Sequence, residues 1–438
     1  MREMKDSGIE WIGAIPQDWK TDRLQWHLKE INVSNNPIQT KNILSLTIEA
    51  GVIPYAEKRN QGNKAKEDYS QYKIAFPDTL VINSMNVIIG AVGISQYFGC
   101  VSPVYYVFEP IEGTDLRYIY YLFTNTGFQK EMRKYAKGIL EIRLRISSND
   151  MLKRIVPSPP FKEQQRIADY LDKMCAEIDT VLEKTRASIE EYKKLKQAVI
   201  TQAVTKGIRG DRPMKDSRIE WIGEIPESWE VSSVRYIGQL QNGISKGGEF
   251  FGKGFPFVSY GDVYKNYELP HSVSGLIDTT EDERATHSVE YGDIFFTRTS
   301  ETIEEVGFSC VCKRSIPNAT FAGFIIRLRP FCADEKILTD YAKYYFRGEH
   351  IRAYLVKEMN LVTRASLGQT LLKGMSVIVP PKSVQKEIAE YLDDKCADID
   401  ALVAKKQQYL TEIENYKKSL IYEYVTGKKE VKTSVLAD

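Results

Sequence analysis

Apolar residues recur every three or four positions through residues 162–206, a stretch without proline or glycine. This spacing predicts an amphipathic helix that packs against a partner helix. At ~1.5 Å per residue the helix would span roughly 65 Å, far longer than an ordinary globular helix. Eight residues form its apolar stripe: Ile167, Leu171, Met174, Ile178, Val181, Tyr192, Leu195 and Val199.

Residues 382–426 repeat this pattern 221 positions later, and ten of the seventeen residues in 385–401 are identical to those in 164–180. The second stripe consists of Ile388, Leu392, Ile399, Leu402, Ile413, Tyr416 and Leu420. We therefore predict that the two helices pair through a set of large apolar residues: Ile167, Leu171, Ile178, Leu195, Ile388, Leu392, Ile399 and Leu420. Thr185 and Lys406 hold matching polar positions on the stripes, either as solvated side chains or as residues that set the helix register.

The start of the chain is also repeated. Residues 4–19, MKDSGIEWIGAIPQDW, and residues 214–229, MKDSRIEWIGEIPESW, agree at twelve of sixteen positions. The chain is therefore a tandem duplication of a unit of about 210 to 220 residues, too long for a solenoid repeat. Nothing in these two IEWIG segments is chemically reactive, so we interpret them as structural clips. The boundaries predicted are a first globular domain at 1–160, a helix at 161–207, a second domain at 208–381, a helix at 382–427 and a tail at 428–438.

The globular parts read as mixed α/β. In the first copy, β-rich runs occupy residues 43–48, 79–82, 87–89 and 104–108, and helical patterns cover 116–124 and 127–135. The second copy follows the same plan with a net insertion of eleven residues. The IEWIG segments and the helices agree between the copies, but the globular parts barely do. Two modules that share a frame and differ in surface suit the reading of two different targets at a fixed separation.

Composition indicates a globular protein but does not decide its binding partner. Hydrophobic residues make up 42% and charged residues 27% of the 438 residues, and the net charge is +1. No apolar run approaches the ~20 residues that span a bilayer, and the polar N-terminus has no signal core, so we expect a cytoplasmic protein with no membrane partner. A nearly neutral total does not exclude a nucleic-acid partner, because only the contact surface must be basic.

Motifs for chemistry are missing. The chain has no GxxxxGK[ST] nucleotide-binding loop, its four histidines have no metal spacing, and Cys310-x-Cys312 lacks a second pair, so we predict no catalytic residue and no metal site. Residues 157–161, PSPPF, are similar to the proline-proline-aromatic loop of adenine methyltransferases, but a serine replaces the amide or acid. A proline hinge that ends the domain explains this stretch better.

With no motif for catalysis, binding is the remaining function, and polar loop residues in each module are the candidates for contacting nucleic acid. Arginine and lysine can neutralise phosphate or pair with guanine, and asparagine or glutamine can pair with adenine. The first module offers Lys58, Arg59, Lys64, Lys66, Tyr72, Asn83, Ser84 and Asn86. The second offers Ser245, Lys246, Lys253, Tyr260, Thr297, Arg298 and Thr299. A solvated surface is the alternative for each, but the turns at 83–86 and 297–300 occupy one framework position and differ in side chain.

Taken together, the repeated IEWIG-x-IP-x-x-W segment and the Gln-x-x-Ile-Ala-x-Tyr-Leu-Asp helix starts at Gln164 and Gln385 resemble the DNA specificity subunit of type I restriction–modification systems. The second copy departs slightly, with Val384-Gln385 in place of Glu163-Gln164. The resemblance implies an α+β fold: two globular mixed α/β target-recognition domains joined by two long helices that form an antiparallel coiled coil, with a pseudo-twofold internal duplication.

The resemblance further implies a non-catalytic subunit that reads a bipartite, asymmetric site in double-stranded DNA. Two modification subunits, which bind S-adenosylmethionine and methylate adenine, would assemble on it, and two restriction subunits would add ATP- and Mg-dependent translocation and cleavage. No cofactor is expected on this chain itself. A coiled-coil scaffold that organises proteins without DNA, and a self-contained nuclease or methyltransferase, are the alternatives.

Overall fold

A computed structural model describes residues 2–48, 50–58, 68–138, 144–210, 212–300, 306–358 and 365–431. The chain forms two units. The first contains Met1–Arg186 with Gln408–Asp438, and the second contains Ala187–Gln407. Each unit therefore includes one IEWIG segment, one globular domain and half of each long helix. None of the helices in these described ranges is both long enough and apolar enough to cross a membrane.

Within its described residues, the first unit contains twelve strands, four α-helices that begin in it, and the end of a long helix that begins in the second unit. The last of its own four helices continues into the second unit. Its strands are β1 (Met4–Ile9), β2 (Gly13–Pro16), β3 (Lys20–Arg23), β4 (Leu28–Ile31), β5 (Leu44–Thr47), β6 (Gly51–Pro54), β7 (Lys73–Ala75), β8 (Thr79–Asn83), β9 (Val92–Ser95), β10 (Gly99–Val101), β11 (Tyr105–Pro110) and β12 (Ile155–Ser158). Its helices are α1 (Leu116–Thr124), α2 (Thr126–Arg133), α3 (Ser148–Leu152) and α4 (Phe161–Lys206).

The second unit repeats this plan with additional short strands. Its strands are β13 (Met214–Asp216), β14 (Glu224–Pro226), β15 (Glu230–Ser233), β16 (Gly238–Asn242), β17 (Phe251–Val258), β18 (Gly275–Ile277), β19 (Ile294–Thr297), β20 (Thr299–Ser300), β21 (Ser309–Val311), β22 (Thr320–Phe321), β23 (Ile325–Pro330), β24 (Ala365–Ser366) and β25 (Ser376–Val379). Its helices are α5 (Tyr260–Lys265), α6 (Glu281–Thr286), α7 (Thr339–Tyr345), α8 (Glu349–Glu358), α9 (Gln369–Gly374) and α10 (Lys382–Val425), which continues into the first unit.

A four-stranded antiparallel sheet forms the centre of each domain, in the order β4-β11-β8-β9 in the first unit and β16-β23-β19-β21 in the second. Strand β8 is buried on both faces, which explains its unbroken apolar run. Leu80 and Ile82 pack with the helices, whereas Val81 faces a smaller core. In β19, Phe296 likewise packs with the helices, and Phe295 faces a smaller core. Side chains that alternate along a strand thus serve two cores at once.

The β-rich run at residues 87–89 was predicted as a strand, and this prediction is wrong. Val87–Ile89 forms a single turn of 3-10 helix. The carbonyl oxygen of Asn86 accepts the N–H groups of Ile89 and Ala91, both at 3.1 Å, and Gly90 takes a positive φ of 85°. These local bonds close a turn before the chain enters β9, so β propensity alone does not decide the conformation.

The two long helices run antiparallel in each unit, which confirms the predicted fold class. In the first unit Asp179 binds Lys417 at 2.6 Å and Arg186 binds Glu414 at 2.8 Å, so residue numbers rise along α4 as they fall along α10. In the second unit Lys196 binds Asp400 at 2.6 Å. Lys196 and Asp179 lie 221 positions before Lys417 and Asp400, so the two units contain the same ion pair with the helices exchanged.

Leu195 is a correction to the predicted pairing set, because 48% of its surface is exposed. The buried positions follow Ile178, Leu182 and Ile189, so the next seam position is 196. There Lys196 folds its aliphatic stem inward, places its ammonium over the Tyr267 ring at 5.1 Å and reaches Asp400. The structure buries the other members of the set: Ile167, Leu171, Ile178, Ile388, Leu392, Ile399 and Leu420.

Thr185 and Lys406 differ in environment. Thr185 is buried, and its hydroxyl donates to the Val181 carbonyl at 2.7 Å, so the interpretation that it is solvated is wrong. A threonine that bonds within its own helix can sit in a seam without an unsatisfied group. Lys406 is half-buried, with its ammonium 5.6 Å from the centre of the Tyr192 ring.

Both IEWIG segments act as clips at a helix end. Trp19 in the first unit and Trp229 in the second are fully buried. Each ring lies against a glycine with positive φ that follows a long helix: Gly427 after α10 and Gly207 after α4. The first segment therefore packs against the end of the second helix, and the second segment against the end of the first.

The helix-start glutamines explain a repeated motif. Gln164 accepts from the Asp115 N–H at 2.9 Å and donates to the Pro159 carbonyl at 2.9 Å. Gln385 accepts from the Leu338 N–H at 2.7 Å and donates to the Pro380 carbonyl at 2.8 Å. Each buried amide thus joins the start of a long helix to the loop before the first helix that follows the sheet.

Candidate nucleic-acid interface

One edge of each four-stranded sheet carries the turns that the sequence singled out. In the first unit, β4 and β8 end at this edge and β11 and β9 begin there, because neighbouring strands are antiparallel. The corresponding edge in the second unit collects the ends of β16 and β19 and the starts of β23 and β21. We call these the variable edges, since their side chains differ between the copies.

The turn at the first variable edge is largely occupied by its own structure. Asn83 is 7% exposed, and its side-chain oxygen accepts the Met85 N–H at 3.0 Å. Ser84 is fully buried and accepts a hydrogen bond from Arg145 Nε at 3.1 Å. Asn86 is half-buried. Asn83 and Ser84 therefore shape the turn, and Asn86 is the more accessible of the three predicted residues.

The remaining candidates of the first unit are dispersed. Lys58 is half-buried with its ammonium 6.0 Å from the centre of the Tyr55 ring. Tyr72 is 6% exposed and packs in a small core beside Ile74 and Cys100, so its ring is not presented at a surface. Three candidates lie outside the described residues: Arg59, Lys64 and Lys66.

The turn at the second variable edge holds Arg298 by its backbone. The Arg298 N–H donates to the Phe324 carbonyl at 2.8 Å, and its carbonyl accepts from Leu367 at 2.7 Å. Thr297 is fully buried, and its hydroxyl accepts the Phe308 N–H at 2.9 Å. The half-buried Arg298 guanidinium makes no hydrogen bond or ion pair within the part of the chain that the structure describes. Thr299 is also half-buried and pairs with β24.

The other candidates of the second unit divide into engaged and accessible side chains. Lys246 is engaged, because it forms an ion pair with Glu283 at 2.6 Å and donates to the Asp278 carbonyl at 2.9 Å. Tyr260 is half-buried with its ring stacked 5.8 Å from that of Tyr264. The exposed candidates are Ser245 and Lys253.

Sequence reasoning missed an amide pair at the second variable edge. Gln369 Nε2, at the start of α9, donates to Asn242 Oδ1, at the end of β16, at 3.0 Å. Beside them, Phe324 is 61% exposed. Two amides and an aromatic ring are groups that read or stack on bases. A signal existed for Asn242, since it aligns with Asn32 at the offset of 210 that relates the IEWIG segments.

The most strongly perturbed ionisable side chains lie in the cores and away from the variable edges. Complete burial among aromatic rings lowers the pKa of His350 to about 3, so its imidazole is neutral. Burial raises the pKa of the Cys312 thiol to about 12. Cys332 is exposed, whereas the other five cysteines are buried. Within the described ranges, no group of three or more His, Cys, Asp and Glu side chains is arranged to hold a metal ion.

Comparison with known proteins gives a consistent match. A family model described as the type I restriction modification DNA specificity domain matches the chain twice, over residues 16–191 and 226–414. The EcoKI specificity subunit of Escherichia coli K12 is 24% identical over 278 residues, which cover 62% of this chain and 57% of that protein. The putative MjaX specificity subunit of Methanocaldococcus jannaschii is 26% identical over 447 residues, which cover 96% of each chain.

Two solved structures share the fold. A chain from a study of complex assembly and conformational transition of the type I R-M system superimposes with a TM-score of 0.70 at 14% identity, covering 95% of this chain and 99% of the other. The HsdS subunit from Thermoanaerobacter tengcongensis gives a TM-score of 0.50 at 14% identity, covering 95% of this chain and 98% of the other. At this identity the likeness establishes the architecture alone.

Proposed function

The chain belongs to the type I restriction–modification DNA specificity family, and from that premise we propose that it reads a bipartite, asymmetric site in double-stranded DNA for a complex whose other subunits carry out the chemistry. The single observation that carries this proposal is the pair of variable edges. Each edge belongs to a sheet with the same arrangement of strands. Asn83 and Ser84 lie at the first edge in the positions that Thr297 and Arg298 hold at the second. One frame with two sets of side chains suits two different half-sites.

We further propose that two copies of one modification subunit dock on the helices. Val181 and Tyr416 in the first unit are 39% and 52% exposed, and they flank the Asp179–Lys417 ion pair in sequence. Leu402 and Leu195 hold the equivalent positions in the second unit and are 44% and 48% exposed. Apolar side chains that stay exposed at matched positions support two equivalent partner contacts.

Under this proposal the chain is non-catalytic and works in the cytoplasm, where its DNA is found. The modification subunits bind S-adenosylmethionine and methylate adenine, and two restriction subunits bind ATP and Mg for translocation and cleavage. The family resemblance supports these assignments. In this assignment the two long helices hold the recognition domains at a set distance along the DNA.

Binding to random-sequence duplex DNA tests the proposal against a scaffold that never touches DNA. The full chain is reconstituted with its modification subunits, and bound duplexes are recovered by gel shift and sequenced. We expect enrichment of two unrelated half-sites at a constant separation. No shift, or a shift without sequence enrichment, would favour a scaffold or a non-specific binder. Methyl transfer by the isolated chain would contradict the non-catalytic assignment.

Arg298→Ala provides a test within one unit. We expect it to change the preference at one half-site and leave the other unchanged, because Arg298 lies at a single variable edge. The matched control is Arg209→Ala, which removes an exposed arginine that is paired with Glu387 at 2.5 Å near a helix end. Equal weakening of all sequences by Arg298→Ala would indicate a phosphate contact.

A further inference from the structure

Two segments cross at the same place in both units. In the first, the Ile146 N–H donates to the Ser84 carbonyl at 3.3 Å, which joins the segment before α3 to the turn after β8. In the second, the Leu367 N–H donates to the Arg298 carbonyl at 2.7 Å, which joins the segment before α9 to the turn after β19. Ser84 aligns with Arg298 at an offset of 214, and Ile146 with Leu367 at 221, so the two crossings are equivalent.

The side chains at this crossing are exchanged between the units. Arg145 precedes Ile146, whereas Ser366 precedes Leu367. The first unit therefore has its serine on the turn and its arginine on the other segment, and the second unit has the reverse. Arg145 Nε donates to Ser84 Oγ at 3.1 Å, which shows that the side chains of the two positions meet across the crossing. Among the described residues, the crossing thus contains one arginine in each unit, supplied from opposite segments.

The charges around Arg145 favour an anionic or electron-rich ligand. Arg145 is exposed, and no carboxylate within the described ranges pairs with it. The residue paired with it through the backbone is also basic, because Arg145 and Lys137 exchange two backbone hydrogen bonds of 2.8 Å. By contrast, Arg117 binds Asp169 at 2.7 Å and Arg329 binds Asp293 at 2.6 Å. Among the described residues, Arg145 therefore presents an exposed guanidinium that no carboxylate neutralises.

The hydrogen bond to Ser84 also sets the geometry of the guanidinium. It uses Nε, so the two terminal nitrogens remain to form a parallel pair of donors. Such a fork matches O6 and N7 of guanine in the major groove, which is the commonest base-specific contact of arginine. Because the fully buried Ser84 holds Nε, the guanidinium loses less rotamer freedom when its two terminal nitrogens bind a base.

We propose that Arg145 is the first unit's counterpart of Arg298 and reads a guanine in the half-site recognised by that unit. This inference rests on the proposed function and deepens it, since it assigns a specificity-determining residue to the half-site read by the first unit. Ser84 is the positioning residue for Arg145.

The test is sequence selection by the full complex with its modification subunits, using random duplex DNA and the variants Arg145→Ala and Arg145→Lys. Both are expected to reduce discrimination at one position of one half-site by roughly 5- to 150-fold, because lysine keeps the charge but lacks the fork. Arg298→Ala is expected to act on the other half-site. Arg23→Ala, which removes an exposed arginine of β3 away from the edge, is the matched control and should change neither.

Three results would overturn the proposal: an unchanged sequence preference in both Arg145 variants, equal weakening of all sequences by Arg145→Ala with rescue by Arg145→Lys, or an effect on the same half-site as Arg298→Ala. The second would identify a phosphate contact. A wild-type complex that selects no sequence would instead remove the proposed function itself, so the two failures are distinguishable. Unchanged thermal unfolding of each variant excludes a loss of fold as the cause.

Discussion

Replacing Gly427 with alanine should loosen the clip of the first unit far more than the same change at Gly207 loosens that of the second. Both glycines follow a long helix with positive φ, 71° at Gly427 and 83° at Gly207. An alanine in this region costs about 1–2 kcal/mol, offset by about 0.4–1 kcal/mol from the unfolded state. Strain alone therefore predicts about 1 kcal/mol at each site.

The space around the two glycines makes the difference. A Cβ at Gly427 would lie 2.5 Å from Pro16 Cδ and 3.0 Å from Trp19 Cη2, so the buried ring must move. A Cβ at Gly207 would lie 3.3 Å from Trp229 Cζ2, a tight contact that a small shift relieves. Overpacking of a rigid core costs about 1–3 kcal/mol, so Gly427→Ala should cost about 2–4 kcal/mol in total.

Hydrogen exchange followed by mass spectrometry measures the free energy of local opening of each IEWIG segment. Relative to Gly207→Ala, the excess cost of Gly427→Ala corresponds to roughly 5- to 150-fold faster exchange. Amides of residues 4–19 should show the loss in Gly427→Ala, whereas amides of 214–229 should show the small loss in Gly207→Ala. Equal protection of the two segments in their respective variants would refute the assignment of Trp19 and Pro16 to the end of α10.

Three further predictions concern the second unit. Gln385→Leu should lower its free energy of unfolding by about 1–3 kcal/mol in urea, because the Leu338 N–H loses its acceptor and the Pro380 carbonyl loses its donor. An effect below about 1 kcal/mol would contradict this role. Tyr341→Phe should cost about 1–2 kcal/mol by the same measurement, because its hydroxyl donates to the Val204 carbonyl at 3.2 Å, and a neutral result would show that the bond is dispensable. His350 has a folded pKa of about 3, below its ordinary 6.5, so its contribution to stability is complete above pH 6.5 and falls as the pH drops toward 3. Between pH 7 and pH 4.5 the resulting loss in the free energy of unfolding is about 2–3 kcal/mol. His350→Phe should remove this part of the acid sensitivity, which urea titrations at the two pH values measure. An identical acid dependence in the wild-type and variant proteins would contradict the low pKa of His350.

The helices show how far pattern reasoning reaches. The repeated apolar spacing predicted two long paired helices, and the structure contains them. The seam itself was harder, because Val181 and Leu182 are adjacent apolar residues that both satisfy a spacing of three or four. Only packing distinguishes them, and it buries Leu182. The same shift brings Lys196 inward and leaves Leu195 exposed, a reversal of polarity that no hydrophobic pattern predicts.

The variable edges show a different limit. Equivalence of position between the copies is enough to locate both turns from the sequence. It could not reveal that Ser84 is buried, since a turn has no fixed side-chain period. The sequence does not indicate Arg145 as a candidate, because alignment of the two copies pairs it with Ser366. The exchange becomes visible only when the backbone bond between Ile146 and Ser84 shows which segments meet.

The most direct measurement of the central claim is the position of methylated adenines in the genome of a host that carries the complete system with this chain. We predict methylation within one asymmetric motif of two unrelated half-sites at a constant separation, and loss of that motif when the chain is deleted. Methylation that is absent, independent of this chain, or confined to an uninterrupted palindrome would contradict a subunit with two different readers.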